Sequence, residues 1–337
     1  MPAKRFDPYR LDRSLMKAAA AETALMRRAP GDYGARLAAK LAAYAGRKHC
    51  VLVHSGREAL RLAARALRPR GGKAAFPDIT HPSLAEAVSG AGFKPRALDI
   101  DLRTLNLSEK ALKAAAPGLD LLLLPHMFAT AAPVKLAERL AKANGFALIE
   151  DASQILGGRL GRRPFGSFGD ISVFSLSPYK PVSSPFCRAG ALLCDSDDIF
   201  KKVLAMRPAP PKPEAFPFIS LKLDRLEITL AGMKAANAVY RSELGRALAC
   251  LPAGVSDFTQ DVPLIVPDRT AVEKAFKKAG LPLERTYRPL HLEKDLPGKF
   301  PAADIYWAGA VHLPAWPLMT AAECRRVAAL AGRTIEK

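Results

Sequence analysis

No apolar run in the 337-residue sequence approaches the roughly 20 residues needed to cross a bilayer. The opening segment, MPAKRFDPYRLDRSLMK, is basic but broken by Asp and Pro, and it lacks the apolar stretch of a secretory signal. A soluble, cytoplasmic protein without membrane contact is the expectation. There are only five cysteines (Cys50, Cys187, Cys194, Cys250, Cys324), an odd number with no CxxC pair, which reads as free thiols in a reducing compartment. Six scattered histidines and no clustered ligands exclude a recognisable metal site. Aromatic residues make up 7% and none interleave with basic stretches as base-stacking platforms. Net charge is +19, from 51 Lys+Arg against 32 Asp+Glu, yet no Lys/Arg run exceeds three. Nucleic acid is therefore not the expected partner, whereas an anionic small substrate such as a nucleotide diphosphate suits a diffuse positive field.

What is present is enough apolar material, 49% of the chain, for a large core. Strand-like runs start at Cys50, Ala74, Arg96, Asp120, Ala147, Ile171 and Gly190, separated by segments of helical spacing. That alternation predicts an α/β fold with one seven-stranded, mostly parallel sheet. A continuous run such as DLLLL over Asp120–Leu124 is what a strand buried on both faces requires. Residues 207–218 (RPAPPKPEAFPF) carry five prolines and read as a linker that forbids helix, with a long helix expected after it. A larger domain over 1–228, including an N-terminal helical segment, and a smaller α+β domain over 229–337 follow. In the latter, strands are expected at Val262–Val266 and Arg285–Tyr287.

The stretch from Ala147 to Asp195 organises the chain. One apolar run ends in Glu150 and Asp151, and a second, Ile171–Phe174, leads through Ser175 to a lone lysine, Lys180, in a Pro- and Ser-rich loop. Ligands of open α/β sheets gather beyond the carboxyl ends of strands. A strand-end Asp and a loop Lys are what pyridoxal phosphate (PLP) chemistry needs: an amine for a Schiff base and a carboxylate that keeps the pyridine nitrogen protonated. Taken alone, the same residues also suit a turn former and a solvated side chain.

The ordered blocks EDASQ, GSFGDISVFSLSPYK and AGALLCDSDD resemble the signature of the DegT/DnrJ-type sugar aminotransferases, PLP enzymes of fold type I. The resemblance implies Lys180 as the Schiff-base lysine and Asp151 as partner of the pyridine nitrogen. It also implies Gln154 near the ring's phenolic oxygen and Ser175 on the cofactor phosphate. The family's SGT turn is SGREAL here, so Gly56 keeps the strand–Gly–helix phosphate cradle, and Arg57 replaces a hydroxyl residue. His81 stands where relatives stack an aromatic ring on the cofactor. Two departures stand out: Ala129 replaces the Gly of a His-aromatic-Gly sequence (His126, Phe128), and Ser220-Leu221-Lys222 replaces an Asn-aromatic-Arg motif whose Asn reaches the phosphate of the neighbouring subunit. The resemblance runs on to Pro289–His291 and Leu313–Pro317. It implies a homodimer that transfers an amino group, by analogy from glutamate, to a keto sugar, probably nucleotide-linked, for surface polysaccharide or secondary-metabolite synthesis. The alternatives are a degenerate relative acting as a partner protein, and a sugar dehydratase, which in this family replaces the Schiff-base lysine with His.

Overall fold

The computed structural model describes residues 12–28, 31–67, 72–178, 180–284 and 286–336. Seven strands form the main sheet: β1 (His49–Val53), β2 (Lys73–Pro77), β3 (Lys94–Leu98), β4 (Leu121–Pro125), β5 (Ala147–Asp151), β6 (Ile171–Ser175) and β7 (Gly190–Cys194). Their order is β1-β7-β6-β5-β4-β2-β3, and only β7 runs against its neighbours. The seven expected strands are all present, each within two residues of its expected start. The alternation of side chains along a strand divides the core into two layers. Leu121, Leu123, Ile149 and Val173 face helices α3 (Gly56–Ala66) and α4 (Ser83–Gly90), while Leu122, Leu124, Leu148 and Phe174 face α2 (Tyr33–Ala45) and α6 (Val134–Asn144). Before α2 lies α1 (Arg13–Arg28), and α5 (Glu109–Ala115) precedes β4.

Two connections differ from expectation. The proline-rich segment does not exclude helix throughout, because α8 (Ala215–Asp224) starts inside it, following α7 (Asp197–Ala205). Pro217 sits in the first turn of α8, where a backbone N–H would have no intrahelical partner to lose. The expected long helix is broken at Arg225 (φ −107°, ψ 21°) into α8 and α9 (Leu226–Glu243), so the expected division after residue 228 falls in the first turn of α9.

Beyond α9, β8 (Asp261–Ile265) and β9 (Ala310–Pro314) form an antiparallel pair, with α10 (Arg269–Ala279), α11 (Leu290–Lys294), α12 (Pro301–Gly309) and α13 (Ala321–Ile335) around them. A third core holds this region together, with Tyr240, Leu264, Phe276 and Leu313 at its centre. No strand forms at Thr286–Tyr287, and Arg285 lies outside the described residues; Glu284 makes a single antiparallel bridge to His312 instead. The Pro-Leu-His segment ties this region to the main sheet. His291 Nδ1 lies 2.6 Å from Asp78 Oδ2 and its backbone N–H donates to Oδ1 at 2.8 Å, while its ring stacks on Phe300. Asp78 is fully buried at the end of β2, and burial raises its carboxyl above the usual range.

The turn from β1 into α3 is packed onto β7 with no room for a side chain. A Cβ on Gly190 would lie 2.4 Å from the carbonyl carbon of Ser55 and 2.6 Å from the nitrogen of Gly56, both backbone atoms that cannot rotate away. Gly190→Ala is expected to destabilise the fold by about 1–3 kcal/mol through overpacking, read as a lower urea midpoint with an unchanged slope.

Candidate active site

Strand β5 ends in two acids that alternate to opposite faces. Glu150 is fully buried, and its carboxylate accepts hydrogen bonds from the backbone N–H of Gly166 (2.9 Å) and Phe168 (2.7 Å) and from His126 Nε2 (3.1 Å). The Ala132 N–H donates to His126 Nδ1, which fixes the ring proton on Nε2, facing Glu150. Glu150 is therefore structural. Asp151 faces the other way into a cavity of about 1860 Å³, with its Oδ1 held by the Ser153 N–H at 3.0 Å.

Next to it the chain turns sharply after β4. Phe128 (φ 55°) and Ala129 (φ 50°) both adopt left-handed backbone, a conformation that costs an L-residue about 1–2 kcal/mol. Side chains of two other elements hold this turn. Asn106 Oδ1 accepts from the Met127 N–H (2.9 Å), and Gln154 Oε1 accepts from the Phe128 N–H (2.9 Å). The Gln154 amide also donates to Tyr287 Oη at 3.1 Å, linking the sheet to the C-terminal region.

On the far side of the cavity is the start of α3. Ser55 caps it by accepting from the Glu58 N–H, and Gly56 follows directly under Ser175, whose Cβ would be 2.7 Å from a Cβ at position 56. Only glycine lets the helix N-terminus, a natural anion site, come this close to Ser175. The Arg57 side chain is 62% exposed at the cavity rim, 3.6 Å from Glu86, a separation at which an exposed pair contributes little. His81 is held by Ser83, whose N–H donates to the His81 Nδ1.

The Lys180 side chain is half-buried and lines the same cavity. Burial pushes its amine below the ordinary lysine range, and the carboxylates of Asp261 and then Asp151 pull against it. Its loop is pinned by Ser183, whose hydroxyl donates to the Lys180 carbonyl (2.8 Å) and accepts from Lys222 Nζ (3.1 Å). Lys222, on α8, is itself brought down to about 8 by burial. Asp261, Glu284, Tyr287 and Trp316 of the C-terminal region complete the wall.

Gly56, Arg57, His81, Asp151, Gln154, Ser175 and Lys180, seven residues spread over 125 positions of sequence, thus line one cavity. The hairpin with Arg159–Leu160 paired to Arg163–Pro164 does not line it: Arg163 instead pairs with Glu138 and stacks over Phe168. Residues 13–213 match the DegT/DnrJ/EryC1/StrS aminotransferase family. The chain belongs to this family.

Among its relatives is a protein named pleiotropic regulatory protein from Geobacillus stearothermophilus, 24% identical over 85% of each chain. Another is the UDP-N-acetyl-3-dehydro-alpha-D-glucosamine 3-aminotransferase of Acidithiobacillus ferrooxidans, 34% identical over 46% of this chain and 42% of that enzyme. The crystal structure of a DegT DnrJ EryC1 StrS aminotransferase from Brucella abortus superimposes with a TM-score of 0.84 at 22% identity, covering 96% of this chain and 95% of that one, so the fold is the aminotransferase fold.

Against this DegT/DnrJ background the two departures have structural counterparts. Ala129, where the resemblance implies Gly, has the positive φ that favours Gly. Ser220 does not line the cavity; its hydroxyl accepts from Lys40 Nζ at 2.8 Å. Of the lining residues not assigned a role from sequence, Asp261 and Glu284 come from segments without a motif, while Lys222 and Trp316 lie inside stretches that the resemblance covers.

Glu284 gives a pH test. Burial raises its carboxyl from 4.5 to about 7, the Trp316 indole N–H pulls it back, and Asp261 adds to the rise. The folded state therefore favours the protonated acid. That stabilisation is complete below the unfolded value and is lost as pH rises through about 7. Relative to Glu284→Gln, the parent is expected to lose roughly 2–3 kcal/mol of unfolding free energy between pH 5 and pH 8, measured by urea denaturation at each pH.

Proposed function

We propose that this protein is a PLP-dependent aminotransferase that moves an amino group from an amino acid, glutamate by analogy, to a keto sugar carried on a nucleotide. The observation behind the reading is the convergence of Asp151, Lys180 and the bare α3 N-terminus on one cavity in a chain of this family. The residues present fit the cofactor. A Cβ at Gly56 would fill the anion cradle against Ser175, a carboxylate stands at the end of β5, and a desolvated amine lies in the loop after β6.

In this reading the first amides of α3 and the Ser175 hydroxyl hold the cofactor phosphate. Asp151 would accept a charge-assisted hydrogen bond from a protonated ring nitrogen and so keep the proton there. By the family resemblance Gln154 would serve the ring's phenolic oxygen and His81 the ring face, and Arg57, at the cavity rim, would be available to the phosphate. When bound, PLP supplies an aldehyde that condenses with amines and a ring that accepts electron density. Lys180 Nζ would act as the base toward the donor's α-proton and, carrying that proton, as the acid of the following transfer to a different carbon. An amine lowered by burial is a more available base than an ordinary lysine. The net charge of +19 favours entry of a diphosphate-bearing sugar. We also propose a cytoplasmic homodimer, with the smaller unit from residue 229 onward closing the substrate side of the cavity.

A second reading, a partner protein without catalysis, draws on Ser220 being turned to Lys40 and on the relative named as regulatory. One experiment separates the two. Purified protein given PLP is expected to develop a visible absorption band that bleaches on adding glutamate. Lys180→Ala should abolish the band and lower turnover by roughly a thousandfold or more. A parent that stays colourless in excess PLP, or a Lys180→Ala variant that keeps the band and the activity, contradicts the aminotransferase reading.

A further inference from the structure

Helix α8 turns two faces to two different parts of the molecule. Ser220 and Asp224, one turn apart, share a face, and both accept from Lys40 Nζ of α2 at 2.8 Å. Lys222 lies two residues from either, about 200° round the helix, and so points the opposite way. There it joins the cavity wall beside the Lys180 loop and donates to Ser183 Oγ at 3.1 Å. The Ser183 hydroxyl in turn donates to the Lys180 carbonyl at 2.8 Å.

An ammonium carries three donors, and Ser183 is the one hydrogen-bond partner of the Lys222 ammonium among the described residues. No carboxylate among them pairs with it, and burial alone acts on its charge. A buried cation without a counter-ion is costly, and an anion entering the cavity would relieve that cost. Its neighbours are placed differently. Arg225, three residues on, lines the same cavity but already donates to Ser14 Oγ at 3.2 Å and acts on the nearby Asp12. Arg188, exposed in the loop between Lys180 and β7, adds a third positive side chain to the lining. The bare N-terminus of α3 is a separate anion site built from backbone amides, so these side chains are left for a second anion.

We propose that Lys222 binds the diphosphate of the sugar substrate, with Arg225 alongside and Arg188 adding charge. The proposal rests on the reading of that substrate as nucleotide-linked. The Arg225 N–H still donates to the Leu221 carbonyl, so Lys222 and Arg225, at i and i+3, lie on one side of the helix and can share the two phosphoryl groups of one ligand. Three cations suit a diphosphate better than the single α-carboxylate of an amino donor. Because one hydroxyl, that of Ser183, contacts both Lys222 and the Lys180 backbone, the bound anion is held in register with the reacting lysine.

The test uses the full chain as purified, with UDP, GDP and dTDP as probes, uridine as the phosphate-free comparison and glutamate as the carboxylate comparison. Binding is read by titration calorimetry, and contact at Lys222 by its protection from acetic anhydride, mapped by peptide mass spectrometry. At least one nucleoside diphosphate is expected to bind and to slow Lys222 acetylation, which uridine and glutamate leave unchanged. Lys222→Met is expected to weaken binding of that nucleotide about ten- to hundredfold, and Lys222→Arg to keep most of it. Lys277→Met, which removes the same charge from the exposed side of α10 outside the cavity, is expected to leave binding unchanged. The protection assay is made on the parent chain, so it decides even where Lys222→Met does not fold. Failure of all three nucleotides to bind, equal affinity in the parent and Lys222→Met, or protection of Lys222 by glutamate instead would each overturn the proposal. None of these readouts needs PLP. A parent that binds a nucleotide through Lys222 yet takes up no PLP overturns the transferase reading alone, and one that takes up PLP and bleaches with glutamate but ignores nucleotides overturns this proposal alone.

Discussion

A buried carboxylate with three donors, Glu150, is the constraint on which the site depends. It joins the end of β5 to His126 after β4 and to the Gly166–Phe168 segment that leads into β6. Removing it would strand a buried imidazole N–H and two backbone N–H groups, each of which costs about 1–3 kcal/mol when left unpaired. Because Glu150 is locked on one face, strand alternation turns Asp151 to the other, toward the cavity. The register then fixes its neighbours: Asp151 lies opposite Pro125 on β4 and Val173 on β6. Ser175, two residues further along β6, consequently reaches the start of α3.

The same logic explains why the site needs both regions of the chain. The sheet supplies the anion cradle, the carboxylate of Asp151 and the Lys180 loop, while the C-terminal region supplies a wall of Asp261, Glu284, Tyr287 and Trp316. Two contacts clamp them together, His291 on Asp78 and Gln154 on Tyr287, and both anchor loops that leave the carboxyl ends of strands. The positive charge of the chain as a whole is not repeated in this wall, which contributes two acids, Asp261 and Glu284.

Much of this was legible in the sequence because it was written locally. Apolar runs such as DLLLL and ALIED mark strands buried on both faces, and the strand-end Asp151 and loop Lys180 follow from their positions in such runs. The helix at Ala215 was misread because proline was counted without its position: Pro217 costs nothing in a first turn. The paired acids Glu150 and Asp151 look equivalent in sequence, and only the alternation of β5 separates a structural carboxylate from a cavity one. Asp261 and Glu284 carry no local signature at all, and Lys222 stands in a motif position without the residues of that motif around it. Each acquires its role from burial against residues far away in the chain, which short-range patterns do not encode.

The central claim is that Lys180 is the amine that bonds the cofactor, and reductive trapping tests it most directly. The protein would be loaded with PLP, reduced with borohydride, digested and mapped by mass spectrometry. The expected result is a stoichiometric phosphopyridoxyl mass on the peptide containing Lys180. A label on a different lysine, or none at all, would contradict the assignment.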